Sequence, residues 1–340
     1  MSDEKSVSRT LVVSGSPHIH GPESVAKIMW GVVIALLPAL AVSIYYFGLP
    51  ALRTVLVSTA ACVACEWLIQ RFLLKKPCSL QDGSAVITGL LLAFNLPATL
   101  PWWMTVLGAM AAIGLAKMAY GGLGNNPFNP ALVGRVFLLI SFPVAMTTWP
   151  QPIDYAHPTF VLSATDALTG PTPLGLIKEN LQQGISVDES LRTLGVTPLE
   201  LLTGHRAGSL GEVSVLAILL GGLFLLWRRI ITWHIPVAFL GSAFVFAAIL
   251  HAADPQAFLP PGFSLLTGGI MLGAFFMATD MVTSPMTPWG KIVFGLGCGL
   301  LTILIRNFGA YPEGVSFAIL IMNAFVPLIN RGFKPKRYGC

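Results

Sequence analysis

Two kinds of residue in this chain have types and spacing suited to chemistry: a threonine in a rigid polar turn, and acids beside long apolar runs. Thr172 closes the segment Asp166-Ala167-Leu168-Thr169-Gly170-Pro171-Thr172, followed by Pro173 and Leu174. Gly170 and the flanking prolines make a stiff turn, which is expected to hold the Thr172 hydroxyl out toward solvent and an approaching modifying enzyme. Asp166 and Thr169 are placed to orient that hydroxyl. Glu66 and Asp280 lie within or at the end of apolar runs. A carboxylate at membrane depth is costly, so each is expected on an ion route or paired with a cation, and Arg135 is a candidate partner for either. Cys62 and Cys65 share a helical face at their three-residue spacing, but a cluster needs two more thiolates, so they read as small apolar side chains. His18 and His20 have no third ligand nearby and read as an interfacial polar segment, so no metal site is expected.

The elements that must position these residues are dictated by composition. Of 340 residues, 54% are hydrophobic and 10% charged, against roughly 25% charged in a soluble domain. Mean hydropathy is +0.75, and apolar runs of roughly 18 to 22 residues recur, so lipid must solvate most of the chain. The first 24 residues are polar and lack the apolar core of a cleavable leader. About ten runs can be picked out: 26–47, 52–73, 83–97, 103–120, 130–148, 211–227, 232–251, 263–281, 290–306 and 314–330. The third is short and ends at Asn95-Leu96-Pro97, which suits a half-span feeding a re-entrant turn. Five segments follow: a cytoplasmic N-terminal segment 1–24, a first membrane half 25–149, a polar loop 150–210, a second half 211–331 and a basic tail 332–340.

Charge orients this arrangement. With a cytoplasmic N-terminus and alternating spans, only Arg53, Lys178, Arg192, Arg206 and Arg306 of the 20 Lys and Arg residues fall outside. That bias puts both termini in the cytoplasm and the 150–210 loop on the external face. The net charge of +5 therefore reports topology, and no nucleic-acid partner is expected. The halves also echo each other: Pro127 and Pro312 lie 185 positions apart, Trp102 and Trp289 lie 187 apart. Five spans per copy is odd, so the second copy would be inverted. The expected fold is an all-α integral membrane protein of about ten transmembrane helices in two inverted five-helix repeats, urea-transporter-like in architecture.

The Asp166-to-Thr172 segment resembles the Asp-x-x-Ser/Thr-Gly-Ala-Thr flavinylation motif of the membrane subunits of the Rnf and Na⁺-translocating NADH:quinone reductase complexes. It departs from that motif with Thr169 for the commoner Ser and Pro171 for Ala. Ser16-Pro17-His18, Asp82-Gly83-Ser84-Ala85, Asn125-Asn126-Pro127-Phe128-Asn129-Pro130-Ala131 and Met277-Ala278-Thr279-Asp280 also look like segments of this family. The likeness covers nearly the whole chain and is closer to the D-type Rnf subunits than to the B-type subunits of the quinone reductase.

The resemblance implies FMN joined to Thr172 by a phosphoester, placed by a flavin transferase outside the cytoplasmic membrane. It also implies a non-covalent riboflavin at Asn126 or Asn129, where carboxamides could meet the polar edge of a flavin ring; the alternative is a helix cap plus breaker. The implied protein is an inner-membrane electron relay, coupled to Na⁺ or H⁺ movement with Glu66 and Asp280 on the ion route. Implied partners are a flavin-bearing G-type subunit, membrane A- and E-type subunits and cytoplasmic B- and C-type subunits. No nucleotide-binding glycine loop or cluster-ligating cysteine set is present, so no catalytic residue for NAD⁺ or ferredoxin is expected in this chain. The competing class is a small-solute channel of the urea or ammonium type, which has no need of a flavin-acceptor turn.

Overall fold

The computed structural model describes residues 24–75, 79–153, 169–195, 198–204, 206–212, 214–309, 311 and 313–334. Ser24 opens the first helix, its hydroxyl accepting the Lys27 N–H at 3.2 Å. Helix α1 then runs over Val25–Leu68. Unbroken, its 44 residues would reach about 66 Å, twice the ~30 Å of hydrocarbon in a bilayer. It breaks at Gly48, whose φ of +61° is one that glycine adopts without a Cβ penalty, two residues before Pro50. A π-helical turn, Ile69–Leu73, extends its C-terminal end.

Helix α2 (Ser84–Phe94) has only 11 residues, so it reaches about 16 Å and ends inside the protein. Distant residues meet its C-terminal end: Gly211 donates its N–H to Phe94 O at 2.7 Å, and Leu210 donates to Leu96 O, just beyond the helix, at 3.4 Å. The expected re-entrant turn after this run is thus tied to residues more than a hundred positions away. Helix α3 (Trp102–Met110) continues as a π-helical stretch, Ala111–Lys117. Helix α4 (Pro130–Ser141) starts with proline in its first turn and with the Asn129 side chain accepting the N–H groups of Ala131 and Leu132. A five-residue helix α5 (Pro143–Thr147) follows.

The polar loop adds a two-residue antiparallel pair, β1 (Trp149–Pro150) with β2 (Thr169–Gly170), and three short helices. These are α6 (Pro173–Gln182), α7 (Val187–Leu194) and α8 (Pro198–Thr203). Lys178 on α6 reaches the C-terminal end of a later helix, where it donates to the carbonyls of Arg306 and Gly309. Burial there lowers its pKa below the ordinary lysine value.

The second half comprises α9 (Val215–Trp227), α10 (His234–Ala253), α11 (Pro261–Leu266), α12 (Ile270–Leu272), α13 (Pro288–Phe308) and α14 (Val315–Gly332). The expected eighth span, 263–281, is broken into α11, α12 and a π-helical turn, Gly273–Met277. Among the described residues, five helical stretches are long and apolar enough to cross a membrane: Val25–Leu73, Trp102–Tyr120, His234–Ala253, Pro288–Phe308 and Val315–Gly332. The short apolar helices α2, α4 and α9 pack between them. Small residues permit that packing: a Cβ on Gly221 of α9 would collide with the Ala35 carbonyl of α1, and one on Gly299 of α13 with the Phe239 carbonyl of α10.

Candidate functional site

Thr172 sits where the β-pair hands the chain to α6. Gly170 lies opposite Trp149 in the pair, with Thr169 opposite Pro150, and this fixes where the next residues leave. Thr172 is extended (φ −65°, ψ 155°), and Pro173 then starts the helix. The Thr172 hydroxyl accepts the Gly175 N–H at 3.0 Å, so the residue is the N-cap of α6. It is 6% exposed. The expectation of a hydroxyl projecting into solvent is therefore corrected: the cap bond turns it inward, onto the wall of a cavity. Asp166 lies outside the described residues.

That cavity holds about 190 Å³ of water-accessible space, and is walled by Arg135, Trp149, Thr172, Glu179, Tyr311 and Glu313 among others. Arg135 is the buried cation. It pairs with Glu313 and donates from Nη1 to Asn95 Oδ1 at 2.7 Å. The structure thus overturns the expectation that Arg135 partners Glu66 or Asp280. Helix α4 carries it to the Thr172 cavity, and Glu313 reaches it from the segment leading into α14.

The partner of Glu66 is Lys117, with Nζ 2.6 Å from Oε2 and both side chains buried. Lys117 also donates to Ser84 Oγ at 2.7 Å, while Gln70 donates to the other carboxylate oxygen of Glu66 at 3.1 Å. In the sequence Lys117 lies near the end of the 103–120 run, among the Lys and Arg residues on the cytoplasmic side. The π-helical end of α3 instead turns it into the core. Cys62 is buried and Cys65 half-buried on the same helix as Glu66, and both are free thiols.

A second cavity, with about 90 Å³ of water-accessible space, gathers residues from segments that no sequence motif links. Ser84, Thr88, Lys117, Asn126, Asn129 and Asp280 contribute its polar wall; Ile87, Leu91, Leu225 and Phe276 are among its apolar ones. Glu66 stands behind Lys117 and does not line it. Asn129 has two tasks: Oδ1 caps α4, and Nδ2 donates to Met277 O at 3.2 Å. The cap-and-breaker alternative therefore holds for Asn129. Asn126 differs, for its Oδ1 is buried without a hydrogen-bond partner, though Nδ2 donates to Phe128 O at 3.2 Å. Asp280 accepts from Thr283 Oγ1 at 3.1 Å and from the Val282 N–H at 3.4 Å.

Each cavity combines apolar walls with a few fixed polar groups, as ligand sites do. An orphaned amide oxygen in the second suits a ligand with an N–H edge, such as a flavin ring. A capping hydroxyl on the wall of the first suits a ligand anchored through an ester.

Fold and cavities together define a helical, multi-pass membrane protein with interrupted helices and two partly polar cavities among them. The chain belongs to the NQR2, RnfD, RnfE family, whose model matches residues 12–339. It is 46% identical over 331 residues to the D-type subunit of the Na(+)-translocating ferredoxin:NAD(+) oxidoreductase complex of Acetobacterium woodii, covering 97% of this chain and 95% of that one. It is 41% identical to the D-type subunit of the proton-translocating ferredoxin:NAD(+) oxidoreductase complex of Clostridium ljungdahlii, covering 100% and 99%. It is 45% identical to the D-type subunit of the ion-translocating oxidoreductase complex of Stutzerimonas stutzeri, covering 93% and 92%.

Proposed function

We propose that this chain is the D-type membrane subunit of an ion-translocating ferredoxin:NAD⁺ oxidoreductase complex, relaying electrons through FMN esterified to Thr172. The observation that carries the assignment is the placement of Thr172 as the N-cap of α6 on the wall of a cavity. A phosphoester there lies at a helix N-terminus, where the helix dipole favours an anion. The ring would lie against the walls of the cavity beside it, which include Trp149 and Tyr311. Flavin, when bound, supplies the one-electron transfer; the chain supplies anchorage, a dry environment and fixed charge.

A second, non-covalent flavin, riboflavin by resemblance, occupies the Asn126 cavity. Apolar walls would face its ring, and the unpartnered Asn126 Oδ1 would accept from its N–H edge. Asp280, on the wall of that cavity, and Glu66, behind it, are the acids assigned to a Na⁺ or H⁺ route. Helix α4 joins the two sites: Asn129 at its start lines one cavity and Arg135 and Leu139 line the other. Their separation of six to ten residues corresponds to about 9 to 15 Å along the helix.

The membrane arrangement that accompanies this function has ten spans in two inverted repeats, with cytoplasmic termini and the Thr172 loop external. A matched pair of clamps supports it. Lys117, near the end of its long helix, donates to Ser84 at the start of α2; Arg306, near the end of α13, donates to Ser264 in α11 at 2.7 Å. Each half thus pins the beginning of its broken segment with a buried cation. The other subunits of the complex hold the NAD⁺ and ferredoxin sites, and a flavin transferase is needed for maturation.

The test is denaturing gel electrophoresis of the chain co-expressed with a flavin transferase, viewed under ultraviolet light. A fluorescent band that Thr172→Ala abolishes is expected. A dark wild-type band would sink the assignment.

A further inference from the structure

Arg135 is 4% exposed, deep in a protein whose surroundings are lipid and apolar side chains. Keeping a guanidinium there is costly, and an ion pair in such a place often stabilises no better than an apolar pair of the same volume. Its bonding is also incomplete: it pairs with Glu313 and reaches Asn95, but its Nε has no hydrogen-bond partner. Its location suggests a use, because Arg135 and Thr172 line the same cavity.

We propose that Arg135 is a positioning residue that sets the redox potential of the flavin borne on Thr172, by holding a positive charge on the wall of its cavity. The inference rests on the covalent-flavin assignment above. Each electron delivered to a flavin by the complex's own low-potential donors brings one negative charge into the cavity unless a proton follows. In a low-dielectric interior, a nearby cation stabilises that charge and raises the potential, while a nearby anion lowers it. Two carboxylates oppose Arg135: Glu313 in direct contact and Glu212 at longer electrostatic range. The potential is therefore set by the balance between Arg135 and Glu313, with Asn95 fixing where the guanidinium stands. That balance gives a signature that mere structural support does not: neutralising the two partners must move the potential in opposite directions.

The experiment uses the intact purified complex carrying wild-type chain, Arg135→Met, Arg135→Lys or Glu313→Gln. Covalent loading is read first, as ultraviolet fluorescence in a denaturing gel. Each sample is then titrated potentiometrically, with the Thr172→Ala complex subtracted to isolate this flavin. At the wild-type midpoint, Arg135→Met is expected to shift the reduced-to-oxidised ratio at least tenfold toward oxidised. Glu313→Gln is expected to shift it toward reduced, and Arg135→Lys to stay within a few-fold of wild type. Bright bands with unmoved midpoints overturn the proposal alone, as do Arg135→Met and Glu313→Gln shifts of the same sign. If Arg135→Met fails to assemble, the absence of a positive shift in Glu313→Gln overturns it equally. A dark wild-type band overturns the covalent-flavin assignment and this proposal with it.

Discussion

Lys117 Nζ stands 2.6 Å from Glu66 Oε2, with the side chains 2% and 1% exposed, inside a helical core. The two residues lie 51 positions apart, and Ser84 on a third helix accepts from the same ammonium. Three elements, α1, α2 and the π-helical end of α3, are thus fastened at one buried point. The same ammonium lines the Asn126 cavity, so the fastening also shapes a candidate cofactor wall.

Removing one partner of that pair leaves an uncompensated charge in the core. Lys117→Met is expected to destabilise the protein by about 3–5 kcal/mol. The double variant Lys117→Met/Glu66→Gln should recover much of this, because no charge remains unpaired. Thermal unfolding in detergent checks both, and a double variant no more stable than Lys117→Met contradicts the pairing argument.

Thr172 does two jobs that substitutions can separate. Thr172→Ser keeps the cap and the esterifiable hydroxyl, so it should remain fluorescent in a denaturing gel. Thr172→Asp keeps a good N-cap but offers no hydroxyl, so it should fold and stay dark. The cap by itself is worth about 1 kcal/mol. If Thr172→Asp gave a fluorescent band, the flavin would be attached elsewhere.

Asn126 and Asn129 line the same cavity, but only Asn129 also caps α4. Asn126→Leu should therefore lower the riboflavin released by acid extraction several-fold, with melting temperature close to wild type. Asn129→Asp preserves the capping oxygen and should hold stability while altering the cavity. Unchanged riboflavin in Asn126→Leu would remove this residue from the site.

Asp280 faces the second cavity, with Thr283 and the Val282 N–H as its partners. Asn at this position keeps an acceptor for one of those two donors, presents an N–H group toward the other, and removes the charge. In sealed vesicles, Asp280→Asn is expected to cut ion transport by at least tenfold while electron transfer falls by less. Equal losses in both would place Asp280 in folding or redox function and take it off the ion route.

Much of the architecture was legible in the chain. The runs 103–120, 232–251, 290–306 and 314–330 correspond to Trp102–Tyr120, His234–Ala253, Pro288–Phe308 and Val315–Gly332. Lipid demands a continuous apolar stretch, so such helices announce themselves by composition. The broken segments were harder to read. The run 263–281 resembles a full span, yet its glycines and its contacts with the rest of the protein divide it; Gly268 adopts a φ of +67°. Asn95-Leu96-Pro97 did mark an interruption, because proline and a capping amide are local signals.

Residue types and their order were enough to establish that the chain is apolar and helical, that a polar loop interrupts it, and that Thr172 stands in a turn. These follow from residue-by-residue solvation and short-range backbone preferences. Three other features came from packing alone: Thr172 faces inward, Arg135 meets Glu313 beside that same cavity, and Lys117 is the cation that Glu66 pairs with. Arg135 and Glu313 are 178 positions apart, and nothing local in either segment specifies the other. A charge in a sequence declares only that it needs a partner. Which partner it finds depends on how the broken helices of the two halves pack, and that is a property of the whole fold.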